Sequence, residues 1–324
     1  MDKSSLFIIN TPFQTLCAIE AIKEYKIIDY KIVILRNVND TFNSKTEEIL
    51  ADFNLKFTYI FIQSFFELLK KGILKEYDKE LYIKNYDKVF IGDYYSTSFR
   101  AFASFFLKKE TKLILLDDGV ATIFLYEYGL NYILKKTTST IIKSNVSNAL
   151  MLFYNKKKIQ FFSIFKPSDN NILYKENTLS ILKPDEEVSI SKKSFIIGAK
   201  ISEASMITED EYFLLLKNIT EIFPDENFYY CPHRAESTEK LEKIEKEFNF
   251  KFFNTEYTIE YDFYKKNISP NIVIGFGSTA LYTLKTIYPK LNAYTMSFKS
   301  NKTINTFYKI LDEVLKKQGI KFIE

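Results

Sequence analysis

The stretch Phe228-Tyr229-Tyr230-Cys231-Pro232-His233-Arg234-Ala235-Glu236 (FYYCPHRAE) holds the only histidine of the 324-residue chain. Its first residues continue a run of β-formers, Asn227–Cys231. Pro232 breaks that run, and the charged segment Ala235–Phe248 that follows suits a helix. The reading is strand, tight turn, helix. It sets the imidazole at the carboxyl end of a strand, where open α/β sheets place their ligands.

Two other stretches share the layout, Leu113–Gly119 (LILLDDG) and Ile272–Leu281 (IVIGFGSTAL). Around them the chain alternates strands and helices. Strands are expected at Leu6–Ile9, Lys31–Leu35, Lys56–Ile62, Lys88–Ile91 and Lys112–Leu116. Helices are expected at Phe13–Tyr25, Ser44–Phe53, Phe65–Lys75 and Ser98–Lys108. Thr11 and Pro12 start the first of these. Val120–Phe153 reads as mixed helix and strand. Tyr154–Lys193 is polar and irregular.

Alternation returns with a strand at Ser194–Gly198 and a helix at Thr208–Ile222, opened by a Thr208/Glu211 capping box. Strands at Lys251–Phe253, Asn271–Ile274, Asn292–Met296 and Ile320–Ile323 follow. Helices at Thr258–Tyr264, Ser278–Ile287 and Asn301–Lys317 separate them. Such alternation indicates βαβ units and parallel sheets. The expected organisation is α/β, with two Rossmann-like domains facing each other across a cleft. Residues 1–155 form the first, 156–193 a connector and 194–324 the second.

Hydrophobic residues make up 46% of the chain, enough for two cores. The 31 Phe and 23 Tyr, with no Trp and many Lys, Ile and Asn, read as genomic bias rather than a stacking platform. A net charge of +4, from 45 basic and 41 acidic residues, is too balanced for bulk nucleic-acid binding. Short basic clusters such as Lys156–Lys158 and Lys265–Lys266 read as solvated surface. Attraction to an anionic membrane face is the weaker reading, since it uses clusters of about 4–8 basic residues. Cys17 and Cys231 are too few for a disulfide framework or a zinc site. No apolar run approaches the ~18 residues of a membrane span, and Leu6–Ile9 is too short for a signal peptide. A cytoplasmic protein is expected, with peripheral association at the inner membrane face and homodimer formation left open.

Five stretches offer chemistry. Asp117-Asp118-Gly119 ends a strand with two carboxylates, suited to base chemistry or a metal, or else is a plain Asp-Gly turn. Gly275-Phe276-Gly277-Ser278-Thr279-Ala280 opens a helix whose positive end suits an anionic oxygen, or else Ser278 is an ordinary N-cap. His233 and Arg234 put a titratable donor beside a permanent cation. No second histidine or cysteine cluster lies near them to complete a metal site. Gly198-Ala199-Lys200-Ile201-Ser202-Glu203 carries Glu203, a candidate base or a surface-loop acid. Glu260 is a carboxylate for a ribose diol, or a solvated one.

In this order the pieces resemble the bacterial lipooligosaccharide sialyltransferases, glycosyltransferase family 52. Leu6–Gln14 is similar to the family's first strand and turn. Asp117-Asp118-Gly119 resembles its acidic motif, Cys231-Pro232-His233-Arg234 its His-Pro motif, and Phe276-Gly277-Ser278-Thr279 its Ser/Thr motif. The proline sits before the histidine, and Arg234 stands after it. The resemblance implies a GT-B fold and an inverting, metal-independent transfer without cofactor. The expected donor is CMP-sialic acid and the acceptor a galactose-type unit of lipooligosaccharide or capsule. It implies His233 as general acid at the donor phosphate and Glu203 as general base, with Asp118 or Asp117 as the alternative. It implies donor contacts at Gly198, Pro232, Arg234, Glu260, Ser278 and Thr279. Two alternatives stand beside it. One is the same fold with a CMP-linked keto sugar or a UDP-hexose as donor. The other is a non-catalytic nucleotide- or glycan-binding protein.

Overall fold

The computed structural model describes residues 4–37, 44–62, 81, 84–129, 146, 159–184, 191–300 and 306–324. The chain divides into two compact units, Met1–Ile181 and Leu182–Glu324.

The first unit runs β1 (Ser4–Ile9), α1 (Pro12–Glu24), β2 (Asp29–Asn37), α2 (Lys45–Asp52), β3 (Thr58–Ile62) and β4 (Tyr86–Ile91). It continues with α3 (Thr97–Ser104), β5 (Lys112–Leu116), α4 (Val120–Tyr128), β6 (Gln160–Ser163) and β7 (Tyr174–Glu176). Its sheet is parallel throughout, in the order β3-β2-β1-β4-β5-β6-β7. Every residue of β1 is buried, as a strand covered on both faces requires. One core face joins Ile8, Val33, Ile91 and Leu115 of the strands to Phe99 and Phe102 of α3. Thr11 caps α1 in a full capping box whose second member is Gln14, with Pro12 in the first turn.

The second unit runs β8 (Ser191–Ile197), α5 (Glu209–Ile222), β9 (Phe228–Cys231), α6 (Thr238–Phe248), β10 (Lys251–Phe252) and α7 (Ile259–Lys265). It continues with β11 (Ile268–Gly275), α8 (Thr279–Ile287), β12 (Asn292–Met296), α9 (Thr306–Lys317) and β13 (Lys321–Ile323). Its parallel sheet has the order β10-β9-β8-β11-β12-β13. Counted within the unit this is 3-2-1-4-5-6, the doubly wound order whose switch point lies between strands 1 and 4. Strands 1 to 6 of the first unit follow the same order. Ile196, Tyr230 and Ile274 pack against Tyr212, Leu216 and Ile219 of α5. The capping box at Thr208 and Glu211 forms as expected.

The connector expected at 156–193 is corrected. Gln160–Ser163 and Tyr174–Glu176 are two further strands of the first sheet, and Ser191 already belongs to the second. The polar run Pro167–Asn171 is only the link between β6 and β7, and the units part after Ile181. Helix starts shift inward where a side chain caps them: Ser237 caps α6, so the helix begins at Thr238 rather than Ala235. The helix expected at Phe65–Lys75 lies outside the described residues, as does most of Val120–Phe153 beyond α4. Among the described residues no helix is long and apolar enough to cross a membrane.

Candidate functional site

In the second unit the strand register brings three turns to one level. Ile197 pairs with Cys231, Ile196 with Ile274, and Gly275 with Thr295. The turns after β8, β9 and β11 therefore leave the sheet side by side at the switch point. With strands about 4.8 Å apart, the β9 and β11 turns are about 10 Å from each other.

Pro232 ends β9, and the chain turns through His233. The backbone N–H of Ala235 donates to His233 Nδ1 at 3.1 Å. A nitrogen that accepts cannot carry the proton, so the neutral ring holds its proton on Nε2. Burial lowers the pKa of the half-buried imidazole. The positive charges of Lys200 and Arg234 add to this, and Glu236 and Glu203 oppose it. His233 is therefore a neutral hydrogen-bond donor near pH 7. Arg234 and Lys200 are exposed, so two cations stand at this edge of the sheet.

The β11 turn presents the start of α8. Gly277 adopts φ +65°, and a Cβ there would lie 3.1 Å from ring carbons of Tyr308, so only glycine fits. The Gly277 N–H donates to Thr295 Oγ1 at 3.0 Å. Ser278 is the N-cap: its Oγ accepts from the Ala280 N–H at 3.2 Å, leaving its hydroxyl proton to be donated outward. Thr279 is the first helical residue. Beside this turn lies an open pocket of about 490 Å³, its solvent-facing mouth included. It is lined by Gly277, Thr295, Ser297, Tyr308 and Asp312 among others.

Glu260 lies on α7 and is 5% exposed. Thr283 of α8 donates its hydroxyl to Glu260 Oε1. Burial raises the pKa of this carboxyl against that hydrogen bond. Glu260 thus ties α7 to α8 rather than standing in solvent.

Glu203, expected as the general base, is engaged by α6. Lys240 Nζ lies 3.4 Å from its Oε1 and its Oε2, and the Ser237 N–H donates to Oε1 at 3.4 Å. Burial pushes its carboxyl up, but its own backbone N–H, the Lys240 charge and the Ser202 hydroxyl outweigh this and hold it low. A carboxylate so occupied fastens the β8 turn to α6. Gly198 is required for packing: a Cβ there would lie 2.3 Å from Glu236 Oε2 and 2.7 Å from the Tyr230 hydroxyl.

In the first unit, β1, β4 and β5 end side by side, with Ile8 opposite Ile91 and Ile91 opposite Leu115. The adjacent carboxylates of the β5 turn face different ways. Asp117 is fully buried. It accepts from the Ile164 N–H at 2.8 Å and from the Ser163 hydroxyl, locking β6 to β5. Burial raises its pKa to about 7 against those bonds. Asp117, expected among the catalytic residues, is thus turned into the core between β5 and β6.

Asp118 turns to the sheet edge. Gln14 Nε2 donates to its Oδ1 at 2.8 Å. Burial and the Asp93 charge raise its pKa to about 6 against the Gln14 bond. Asp93, at the end of β4, is itself raised by burial, opposed by the Ser96 and Tyr95 N–H groups and by Arg100. Gly119, at φ 59°, lets the chain turn from this pair into α4. The pairing of two carboxylates with raised pKa values is characteristic of acid–base sites.

Sequence reasoning passed over Gln14, Asp93, Glu236 and Lys240. Asp93 carried a usable signal, since Gly92-Asp93 ends a strand as Gly119 ends the Asp117-Asp118 turn. Among the described residues no group of three or more His, Cys, Asp or Glu side chains is placed to hold a metal ion.

No protein-family profile and no curated protein sequence matches the chain. Solved structures do match it along its whole length. A Listeria monocytogenes protein provisionally assigned as a UDP-N-acetylglucosamine 2-epimerase is 14% identical, with TM-score 0.59 over 100% of this chain and 84% of its own. S. aureus MnaA, solved with UDP, is 12% identical, with TM-score 0.53 over 97% and 87%. LpCGTa in complex with UDP is 8% identical, with TM-score 0.53 over 99% and 84%. The fold is of GT-B type, two Rossmann-like units in one chain.

These neighbours correct the resemblance to family 52. These three structures are described with UDP or a UDP-sugar, not with CMP-sialic acid. The sialyltransferase reading, with its lipooligosaccharide or capsule acceptor, is withdrawn. Its motifs were short strand-end turns, and doubly wound sheets supply such turns irrespective of family.

Proposed function

We propose that this protein is an enzyme acting on a UDP-hexose, with the nucleotide diphosphate held by the second unit. One observation carries the reading. A neutral imidazole donating from Nε2, the cations Lys200 and Arg234, and the capped start of α8 with Ser278 and Thr279 meet the switch-point edge of one sheet. Donors and positive ends of this kind bind phosphate oxygens. Glu260, buried and bonded to Thr283, holds α7 against α8. The UDP carried by neighbours of the same fold supports the choice of nucleotide.

In the proposed reaction the bond from the anomeric carbon to the diphosphate breaks and its electron pair leaves with UDP, while the oxygen of an acceptor hydroxyl forms the new bond to that carbon and gives up its proton to a base. The negative charge gathering on the phosphates is stabilised by the His233 Nε2–H, Arg234, Lys200 and the α8 N-terminus. Asp118, whose pKa is set by burial, Asp93 and Gln14, is the candidate for that base.

The test is thermal stability with UDP, CMP, UDP-glucose and UDP-N-acetylglucosamine, followed by UDP release with and without EDTA. A ligand that binds only the folded chain raises its melting temperature. Stabilisation by UDP and its sugars, weakened in His233→Ala, is expected. Stabilisation by CMP alone would sink the nucleotide assignment.

A further inference from the structure

Glu236 lies three residues beyond His233, and its side chain is fully buried. Its Oε2 accepts the backbone N–H of His233 at 2.7 Å. Its Oε1 accepts from the Tyr230 hydroxyl at 2.7 Å and from Lys240 Nζ at 2.9 Å. Because a carboxylate only accepts, Tyr230 donates to it. The Tyr230 oxygen must then accept from Tyr212, 2.7 Å away. The Lys240 ammonium stands 3.6 Å above the Tyr212 ring and is 1% exposed.

This is an unusual concentration of buried charge for a surface turn. A buried ion pair is seldom a stabilising choice, since apolar side chains of the same volume serve folding as well or better. Here the pair sits where its geometry is transmitted to one imidazole. The His233 carbonyl also accepts the Glu236 N–H at 2.9 Å, closing the turn in which Ala235 N–H reaches Nδ1. Gly198, without a side chain, leaves the space the carboxylate occupies.

The geometry points to Glu236 as the positioning residue of the site, fixing the turn that commits His233 to its Nε2–H form. Lys240 and Tyr230 hold Glu236 in turn. This inference rests on the proposed role of His233 as a phosphate donor, but its structural part is measurable without any ligand. The chain has one histidine, so its ring nitrogens give unambiguous NMR signals.

The experiment records ¹⁵N shifts of His233 above its titration range in wild type, Glu236→Gln and Tyr230→Phe. It also records the affinity of each for UDP. Wild type is expected to show one tautomer, protonated on Nε2. Glu236→Gln is expected to show a mixture of tautomers and about tenfold weaker UDP binding, as for loss of one charge-assisted hydrogen bond. Tyr230→Phe alters neither charge nor fold class, and it is expected to shift the same signals less. It carries the test alone if Glu236→Gln does not fold. An unchanged tautomer in the variants that fold overturns the inference. Mixed tautomers in a protein that binds no UDP even as wild type keep Glu236 as the positioning residue and overturn the nucleotide reading instead.

Discussion

The amide of Gln14 ties Asp118 to the backbone of Asn10. Its Nε2 donates to Asp118 Oδ1 at 2.8 Å, while its Oε1 accepts the Asn10 N–H at 2.9 Å. The backbone amide fixes which end of the side chain is oxygen, so the end facing the carboxylate must donate. That bond favours the ionised carboxylate and opposes the burial and the Asp93 charge that raise its pKa to about 6. Gln14→Ala is therefore expected to move the acid limb of the kcat/KM profile upward from about pH 6, since a base must be ionised to act. A limb that stays in place would remove Asp118 as the titrating base.

Asp117 and Asp118 are expected to separate cleanly on substitution. Asp118→Asn is expected to lower turnover by about 10²–10⁴-fold, the usual contribution of a positioned acid or base, with nucleotide binding and melting temperature retained. Asp117→Asn is expected to cost about 1–3 kcal/mol of stability, because an amide cannot serve both the Ser163 hydroxyl and the Ile164 N–H as the carboxylate does. Turnover and chemical denaturation on the pair check both halves.

The same Asp117 gives stability a pH dependence. Its folded-state pKa, about 7, lies above the unfolded value of about 4. The folded chain thus binds the proton more tightly. The contribution is fully present below about pH 4 and is lost as the pH rises through about 7. Denaturation between pH 5 and 8 is expected to show Asp117→Asn with a flatter profile than wild type; parallel profiles would contradict the assignment.

His233 is expected to titrate below the ordinary histidine range, since burial and the nearby Lys200 and Arg234 charges disfavour imidazolium. Binding at neutral pH then needs the Nε2–H donor rather than a cation. His233→Gln, which keeps an N–H donor, is expected to retain more UDP affinity than His233→Ala; calorimetry at pH 7.5 compares them. Equal losses would mean that the ring acts by something other than donation.

Glu203→Gln is expected to leave turnover within about threefold of wild type while costing about 0.5–1 kcal/mol, as for one partly exposed ion pair. Loss of turnover at unchanged stability would restore Glu203 as a base.

Much of this layout was legible in the residues. The β1, β9 and β11 turns each carry a break at a strand end, and Thr208 with Glu211 signals its helix directly. The second strand pair of the first unit was not legible, because β6 and β7 are short and set among polar residues that read as a linker. Nor could side-chain direction at Asp117-Asp118 be read. Successive residues leaving a strand point opposite ways, and only the β6 contacts decide which of the two is buried. Glu236 and Lys240 looked like solvated residues of a charged helix; their burial depends on Gly198 and Tyr212, neither of which adjoins them in sequence. The family resemblance failed for a related reason. Strand-end turns recur because sheets need them, so the motifs reported architecture more than donor.

The contact of Tyr308 with Gly277 bears on the order in which the protein matures. The turn before α8 is backed by a side chain some thirty residues downstream, on α9. During synthesis, a chain halted between the two would have every strand of the second sheet through β12 but no wall behind that turn. Completion of that turn is thus a late event on the ribosome, arriving only once α9 has emerged.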